Sequence, residues 1–275
     1  MKNLLFAFLF IGASALGNAQ ETTYETISNL QYYDSSIAET DAYIKERCML
    51  DLYYPKDLKD FPTIVWFHGG GLTGGEKFIP EELKNKGVAI VAVNYRLNPK
   101  VNSPSYIEDA AAATNWVFKN ISDYGGDPSL LFISGHSAGG YLASMIVLDK
   151  SYLAKYNIDS DSVAGFIPFS GHAITHMTVR KEREIDEKQP IIDSLAPLFH
   201  VRKDAPPLLL MTGDRDLELL GRYEEVAYFM RMMKLVGHEN TTLYELDGYD
   251  HGGMAVPAFP LLLKEVDRIT KLKKE

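Results

Sequence analysis

Short apolar runs alternate with longer amphipathic ones along most of this chain. Thr63 to Phe67, Val88 to Tyr95, Leu130 to Ile133, Val163 to Phe169 and Leu208 to Thr212 are nearly all apolar. Runs of that length predict strands covered on both faces. Thr241 to Leu246 is the last strand of the series. Thr23 to Tyr33 and Arg47 to Tyr54, the latter closed by Pro55, mix apolar and polar residues and predict edge strands. Tyr106 to Ile121 has a different period. Ile107, Ala110, Ala111, Thr114, Val117, Phe118 and Ile121 recur at steps of three and four, which places one stripe on one helix face. Further helices are predicted over Pro80 to Lys86 (stopped by Gly87), Tyr141 to Leu148, Tyr223 to Val236 (ended by Gly237) and Val256 to Lys273. Gly125-Gly126-Asp127-Pro128 predicts a turn.

Eight strands alternating with helices imply an α/β class: a mainly parallel eight-stranded sheet with helices on both faces. No helix pattern separates the first two strands, so they are expected to add antiparallel at one edge. In open sheets of this kind, ligands bind beyond the carboxyl ends of the strands. Chemistry should therefore be sought where apolar runs stop.

The chain begins Met1-Lys2-Asn3, continues with apolar Leu4 to Ile11, and reaches Gly17-Asn18-Ala19. A basic residue, a short apolar run and small residues at −3 and −1 predict a secretory signal over residues 1–19, cleaved after Ala19. The run is shorter than the roughly 20 apolar residues of a membrane anchor. One catalytic domain is expected over residues 20–275, exported to a periplasmic or extracellular location. Cys48 is the only cysteine, so no internal disulfide is possible, and a buried inert thiol is expected. Losing Lys2 with the signal takes the formal net charge from −9 to −10. An acidic chain without a basic run is a poor nucleic-acid partner. No Cys/His spacing for zinc and no calcium-loop pattern occurs, so neither metal nor cofactor is implied.

The strongest chemical signal is Gly135-His136-Ser137-Ala138-Gly139, set between a strand pattern and a helix pattern. A nucleophilic serine on a sharp strand-to-helix turn needs small neighbours on both sides. The turn would lift the Ser137 hydroxyl beyond the sheet edge and leave the Ala138 N–H at a helix N-terminus. A serine needs a base. His251 follows the last strand in Asp247-Gly248-Tyr249-Asp250-His251-Gly252-Gly253, where glycines let the backbone bend. The base needs an acid to hold its tautomer. Asp214 and Asp216 both follow the strand Leu208 to Thr212, and spacing does not separate them. Trp66-Phe67-His68-Gly69-Gly70-Gly71 follows a buried strand, and its glycines offer uncovered N–H groups for an oxyanion.

Together these residues resemble the α/β-hydrolase esterases of the hormone-sensitive-lipase and carboxylesterase branch. The narrower resemblance is to small exported esterases grouped with bifunctional feruloyl and acetylxylan esterases. It is carried by His68-Gly69-Gly70-Gly71, Asn94-Tyr95-Arg96-Leu97 with Pro99 and Pro104, Asp109, Trp116, Gly125 to Pro128, Gly135 to Gly140, Gly213-x-x-Asp216 and His251-Gly252. The resemblance implies a serine esterase with Ser137 as nucleophile, His251 as base and Asp216 as acid. It implies the amides of Gly70, Gly71 and Ala138 as oxyanion donors, and structural roles for Tyr95, Arg96 and Asp109. It points to short-acyl esters, acetyl or feruloyl groups on plant polysaccharides or oligosaccharides.

Two departures from the family stand out. Leu72 replaces an aromatic usual after the glycines, which is expected to alter a wall of the site. Little sequence precedes the core, so the N-terminal lid of many lipases is not expected. Residues 172–199 form the one insertion large enough to cover the site, and its charged run Arg180 to Glu184 is expected to face solvent. Alternatives are an arylformamidase-like amidase, against which export argues, and a prolyl-oligopeptidase-like peptidase, which would carry a large propeller. A non-catalytic binding module of this fold typically lacks a triad residue, and none is missing here. Asn120-Ile121-Ser122 and Asn240-Thr241-Thr242 match glycosylation acceptors. Neither membrane nor nucleic acid is an expected partner.

Overall fold

The computed structural model describes residues 22–275. The predicted signal and its cleavage point lie outside the described residues. Eight strands form one sheet: β1 (Tyr24–Gln31), β2 (Met49–Pro55), β3 (Phe61–Phe67), β4 (Ala89–Val93), β5 (Gly126–His136), β6 (Gly165–Phe169), β7 (Leu208–Gly213) and β8 (Thr241–Leu246). Their spatial order is β1-β2-β4-β3-β5-β6-β7-β8. β1 and β2 pair antiparallel, β2 joins β4 antiparallel, and every later pairing is parallel. The antiparallel edge is as expected, but its connection is not: two short helices, Ser35–Ala38 and Ala42–Arg47, join β1 to β2 where the sequence shows no helix period.

The helices are α1 (Ser35–Ala38), α2 (Ala42–Arg47), α3 (Ser105–Asn120), α4 (Ala138–Leu148), α5 (Lys150–Ala154), α6 (Met177–Glu182), α7 (Arg222–Leu235) and α8 (Ala255–Lys274). Strand residues alternate between two apolar layers, as the period of two requires. Val65, Phe67, Val91, Leu131 and Ile133 pack with α3, α4 and α7 on one face. Ile64, Trp66, Ile90, Leu130 and Phe132 pack with Phe259, Leu262, Val266 and Ile269 of α8 on the other. Covering both faces is what makes these strands near-continuous apolar runs.

Several local expectations change. Arg47 ends α2 rather than opening a strand. Its buried guanidinium reaches back to the Tyr95 carbonyl at 3.1 Å, which ties it to the region of the glycine loop. The predicted helix over Pro80 to Lys86 is only a single tight turn, Glu81–Leu83. The predicted Gly125–Pro128 turn is already the start of β5, with Gly125 at φ 94° supplying the bend.

Cys48 is buried and unbridged, and burial together with the nearby Asp109 charge pushes its thiol well above the ordinary range. Arg96 Nη2 meets fully buried Asp109 at 2.8 Å, while the Arg96 amide donates to the same carboxylate at 2.9 Å. That pairing locks the chain after β4 to α3, in keeping with a structural role.

Candidate active site

Ser137 stands between β5 and α4 with φ 56° and ψ −113°, a conformation that side-chain-bearing residues rarely adopt. Close packing imposes it. A Cβ on Gly135 would fall 2.6 Å from the Phe67 carbonyl oxygen, and one on Gly139 would fall 2.0 Å from the same atom. Only hydrogen fits at either position, so β3 presses directly on the turn. The Ser137 amide donates to the Phe169 carbonyl at 2.8 Å, and the Tyr141 amide donates to the Ser137 carbonyl at 3.0 Å. The serine backbone is therefore fixed from both sides.

The glycine loop after β3 lies against this turn. A Cβ on Gly69 would sit 3.5 Å from Ser137 Cβ. Gly70 (φ 112°) and Gly71 (φ 64°) carry the chain through left-handed conformations, and the Gly70 carbonyl accepts from Thr73 N and Gly74 N at 3.1 and 3.0 Å. The N–H groups of Gly70, Gly71 and Ala138 make no hydrogen bond among the described residues. They are thus available beside the serine. His68 stiffens the loop. Its Nδ1–H donates to the Gly69 carbonyl at 2.6 Å, its ring stacks on Tyr95 at 4.4 Å, and Tyr95 Oη donates to the His68 carbonyl at 2.7 Å. Burial drives the His68 pKa down to about 4, so this ring is a neutral structural part.

His251 sits in the loop between β8 and α8. Its Nδ1 lies 2.8 Å from Glu218 Oε2 and 3.1 Å from Ser170 Oγ. Nε2 is then the ring nitrogen left for proton exchange. No hydrogen bond joins His251 to Ser137 Oγ, a contact that commonly tightens only as the transition state forms.

The acid assignment is corrected here. Asp216 is exposed, and only its backbone amide is engaged, by Asp214 Oδ1 at 2.9 Å. Asp214 pins the histidine loop from outside: its amide donates to the Tyr249 carbonyl, and Oδ2 accepts from the Gly248 amide at 2.8 Å. The chain after β7 makes a tight turn, with the amides of Leu217 and Glu218 donating to the Asp214 carbonyl. That turn swings Asp216 outward and Glu218 inward. The Glu218 side chain is 1% exposed. Its Oε1 accepts from Ser170 Oγ at 2.5 Å and from the Gly213 amide at 2.9 Å. Burial alone would raise the Glu218 pKa, but hydrogen bonds from His251, Ser170 and the Gly213 amide outweigh it and hold the group at about 2. The signal in the sequence was an acid inside the apolar run Leu217-Glu218-Leu219-Leu220. In the fold the pattern is inverted, with the three leucines half-exposed and the glutamate buried.

Ser170, also missed, follows β6 at φ 46° and is fully buried. Its amide donates to the Met211 carbonyl at 2.7 Å, and its carbonyl accepts from Arg222 Nη1. Beneath it, Arg222 Nη2 donates to His172 Nε2 at 2.6 Å and His172 Nδ1 meets Glu225 at 2.9 Å. Burial, reinforced by the Arg222 and Arg180 charges, pushes His172 far below its usual pKa.

The insertion at 172–199 also differs from expectation. Arg180 is buried and donates to the Gln189 carbonyl at 2.6 Å. Glu182 accepts from Tyr106 Oη at 2.5 Å and from the Ser103 amide at 3.0 Å. Only part of the charged run faces water, because α6 docks on the body of the domain. Thr178 Oγ1 donates to the Gly71 carbonyl, so α6 holds the glycine loop from behind. Leu72 is fully buried at φ 62° and belongs to the core layer that contains Tyr95. It packs into that core and forms no exposed wall. Among the described residues, no group of three or more His, Cys, Asp or Glu side chains is arranged to hold a metal. Also among them, no helix is long and apolar enough to cross a membrane.

Comparison with known proteins places this geometry. The chain is 25% identical over 260 residues to esterase LipC of Mycobacterium tuberculosis, covering 80% of this chain and 62% of that protein. It is 28% identical over 229 residues to the probable carboxylic ester hydrolase LipM of the same organism, covering 74% and 52%. The chain thus spans between half and two thirds of the length of these curated relatives. Among solved structures, a truncated carbohydrate esterase from gut microbiota superposes with a TM-score of 0.73 at 20% identity, over 92% of this chain and 99% of that one. A thermophilic esterase from Thermogutta terrifontis gives 0.66 at 23% identity, over 90% and 91%. The model of the BD-FAE family matches residues 50–220, well over half of the sequence. The fold is the α/β-hydrolase fold, and the chain belongs to the BD-FAE family.

Proposed function

We propose that this protein is a serine carboxylesterase that cleaves short-acyl esters through an acyl-enzyme on Ser137. The observation that carries the reading is His251 held through Nδ1 by buried Glu218 at 2.8 Å, beside the strained Ser137 turn. Ser137 Oγ attacks the ester carbonyl carbon while His251 Nε2 takes the hydroxyl proton. The Glu218 carboxylate fixes the tautomer and stabilises the imidazolium. The N–H groups of Gly70, Gly71 and Ala138 receive the negative charge on the former carbonyl oxygen. Collapse of the tetrahedral species breaks the C–O bond to the alcohol, which leaves with the proton from His251. Water, deprotonated by His251, then attacks the acyl-enzyme, and the carboxylic acid departs with Ser137 regenerated.

Acetyl or feruloyl groups on plant polysaccharides or their fragments are the substrates we favour. The support is family membership together with the carbohydrate esterase among the structural neighbours. The N-terminal pattern supports action outside the cytoplasm. The test is hydrolysis of p-nitrophenyl esters from C2 to C12, with acetylated xylo-oligosaccharides and methyl ferulate alongside, for wild type and Ser137→Ala. The reading expects kcat/KM to fall beyond C4 and the variant to be inert. A rise toward C10–C12 would point to lipids, and an active Ser137→Ala would remove the serine from the mechanism.

A further inference from the structure

His136 is not a member of the charge-relay set, yet it touches that set directly. Its Nε2–H donates to the backbone carbonyl of His251 at 2.7 Å, across 115 positions of sequence. The two imidazole rings lie 4.8 Å apart at 42°. On its other side the ring meets the glycine loop, since a Cβ on Gly69 would fall 3.3 Å from His136 Nδ1. His136 is therefore wedged between the oxyanion loop and the histidine loop, one residue before the nucleophile.

Among the described residues, this is the only hydrogen bond made by the backbone of His251. Asp214 holds the loop earlier, at Gly248 and Tyr249, and Asp250 closes the turn around His251, its carbonyl accepting from the Met254 amide at 3.0 Å and its Oδ1 from the Gly253 amide at 2.6 Å; neither bond engages the His251 peptide itself. The next residues, Gly252 and Gly253, are exposed. Within that turn two glycines follow the His251 peptide, so the direction of its carbonyl is softer than between larger residues unless something holds it. Rotation there would carry the imidazole off the line between Glu218 and Ser137. From this geometry we infer that His136 is a positioning residue: it fixes the peptide after His251 and so holds the imidazole in register with Glu218 and the serine. The role needs a neutral donor, because a second cation would oppose the imidazolium formed during acyl transfer. Burial first, and the neighbouring His251 charge second, bring the His136 pKa down to about 4, which keeps it neutral across the working range.

The inference rests on the esterase reading, and the test separates the two. His136→Phe keeps a ring without a donor, and His136→Gln keeps an N–H of similar reach. His136→Asn is too short to reach. On p-nitrophenyl acetate, Phe and Asn should lower kcat about tenfold or more, the scale of a small misplacement of a reacting group. KM should stay within about twofold, because the His136 N–H is spent on the His251 carbonyl. Gln should recover most of kcat. Equal losses in Gln and Phe, or a loss confined to KM, would overturn the inference. Circular dichroism identifies any variant that fails to fold, and Asn then replaces Phe. A second readout needs no turnover. The downfield His251 Nδ1–H proton resonance should persist in Gln and broaden or vanish in Phe. An inert wild type would sink the esterase reading alone, and an unchanged resonance in Phe would sink the positioning role alone.

Discussion

Glu218 Oε2 lies 2.8 Å from His251 Nδ1, and the carboxylate that makes this bond is 1% exposed. Removing its charge should be felt mainly in kcat. Glu218→Gln is expected to lower kcat by roughly 10²- to 10⁴-fold with little change in KM, since the amide no longer holds the productive tautomer. Asp216→Asn should remain within about twofold of wild type. Steady-state kinetics on both variants decide between them, and a sensitive Asp216 would reverse the assignment.

Ser137→Gly should abolish turnover and raise stability. The serine occupies φ 56°, ψ −113°, a strained region worth about 1–3 kcal/mol. Glycine relieves the strain but loses about 0.5–1 kcal/mol of backbone entropy on folding. A net gain of about 1 kcal/mol is expected in urea unfolding. Equal or lower stability would mean that the turn carries no strain.

Acid should destabilise the fold before it reaches the carboxylates. Burial brings His68 and His136 down to about 4 and pushes His172 and His176 well below the ordinary value. Unfolded imidazoles bind protons near 6.5, so their contribution to stability is fully present above about pH 6.5 and is lost as pH falls toward 4. Glu218 adds a second loss from about 4.5 down to 2. Unfolding free energy measured between pH 7 and 4 should fall steadily. His176→Gln should reduce the slope by roughly one proton.

Thr178→Val should lower kcat severalfold while leaving the fold intact. The hydroxyl holds the Gly71 carbonyl, and the neighbouring amides must point at the developing oxyanion. A drop in activity with unchanged melting temperature is the expected signature. Loss of melting temperature in proportion to activity would instead make Thr178 a packing residue.

The fold was legible because strand burial on both faces writes itself as short apolar runs, and β3 to β7 carry that pattern. The serine turn was legible because Gly135 and Gly139 face the Phe67 carbonyl, where nothing larger than hydrogen fits. The acid was not, because the chain reverses after β7 and a single tight turn decides whether residue 216 or 218 faces inward. Spacing along a sequence does not encode that rotation. Ser170 was hidden for a similar reason, as its hydroxyl acquires meaning only when β6 ends beside Glu218. Buried Arg180 and half-buried Glu182 read as solvated charges because their partners are set by the fold: the insertion doubles back to bring the Gln189 carbonyl to Arg180, and Tyr106 comes to Glu182 from α3.

The anchoring of α6 to the Gly71 carbonyl sets terms for redesign. Libraries aimed at new acyl or alcohol preferences would ordinarily randomise the whole of residues 172–199 as a surface loop. Here its first half carries the alignment of the oxyanion donors, so shuffling it would produce mostly dead clones. Diversity belongs in the mostly exposed stretch from Arg183 to Lys188, which makes no hydrogen bond to the glycine loop.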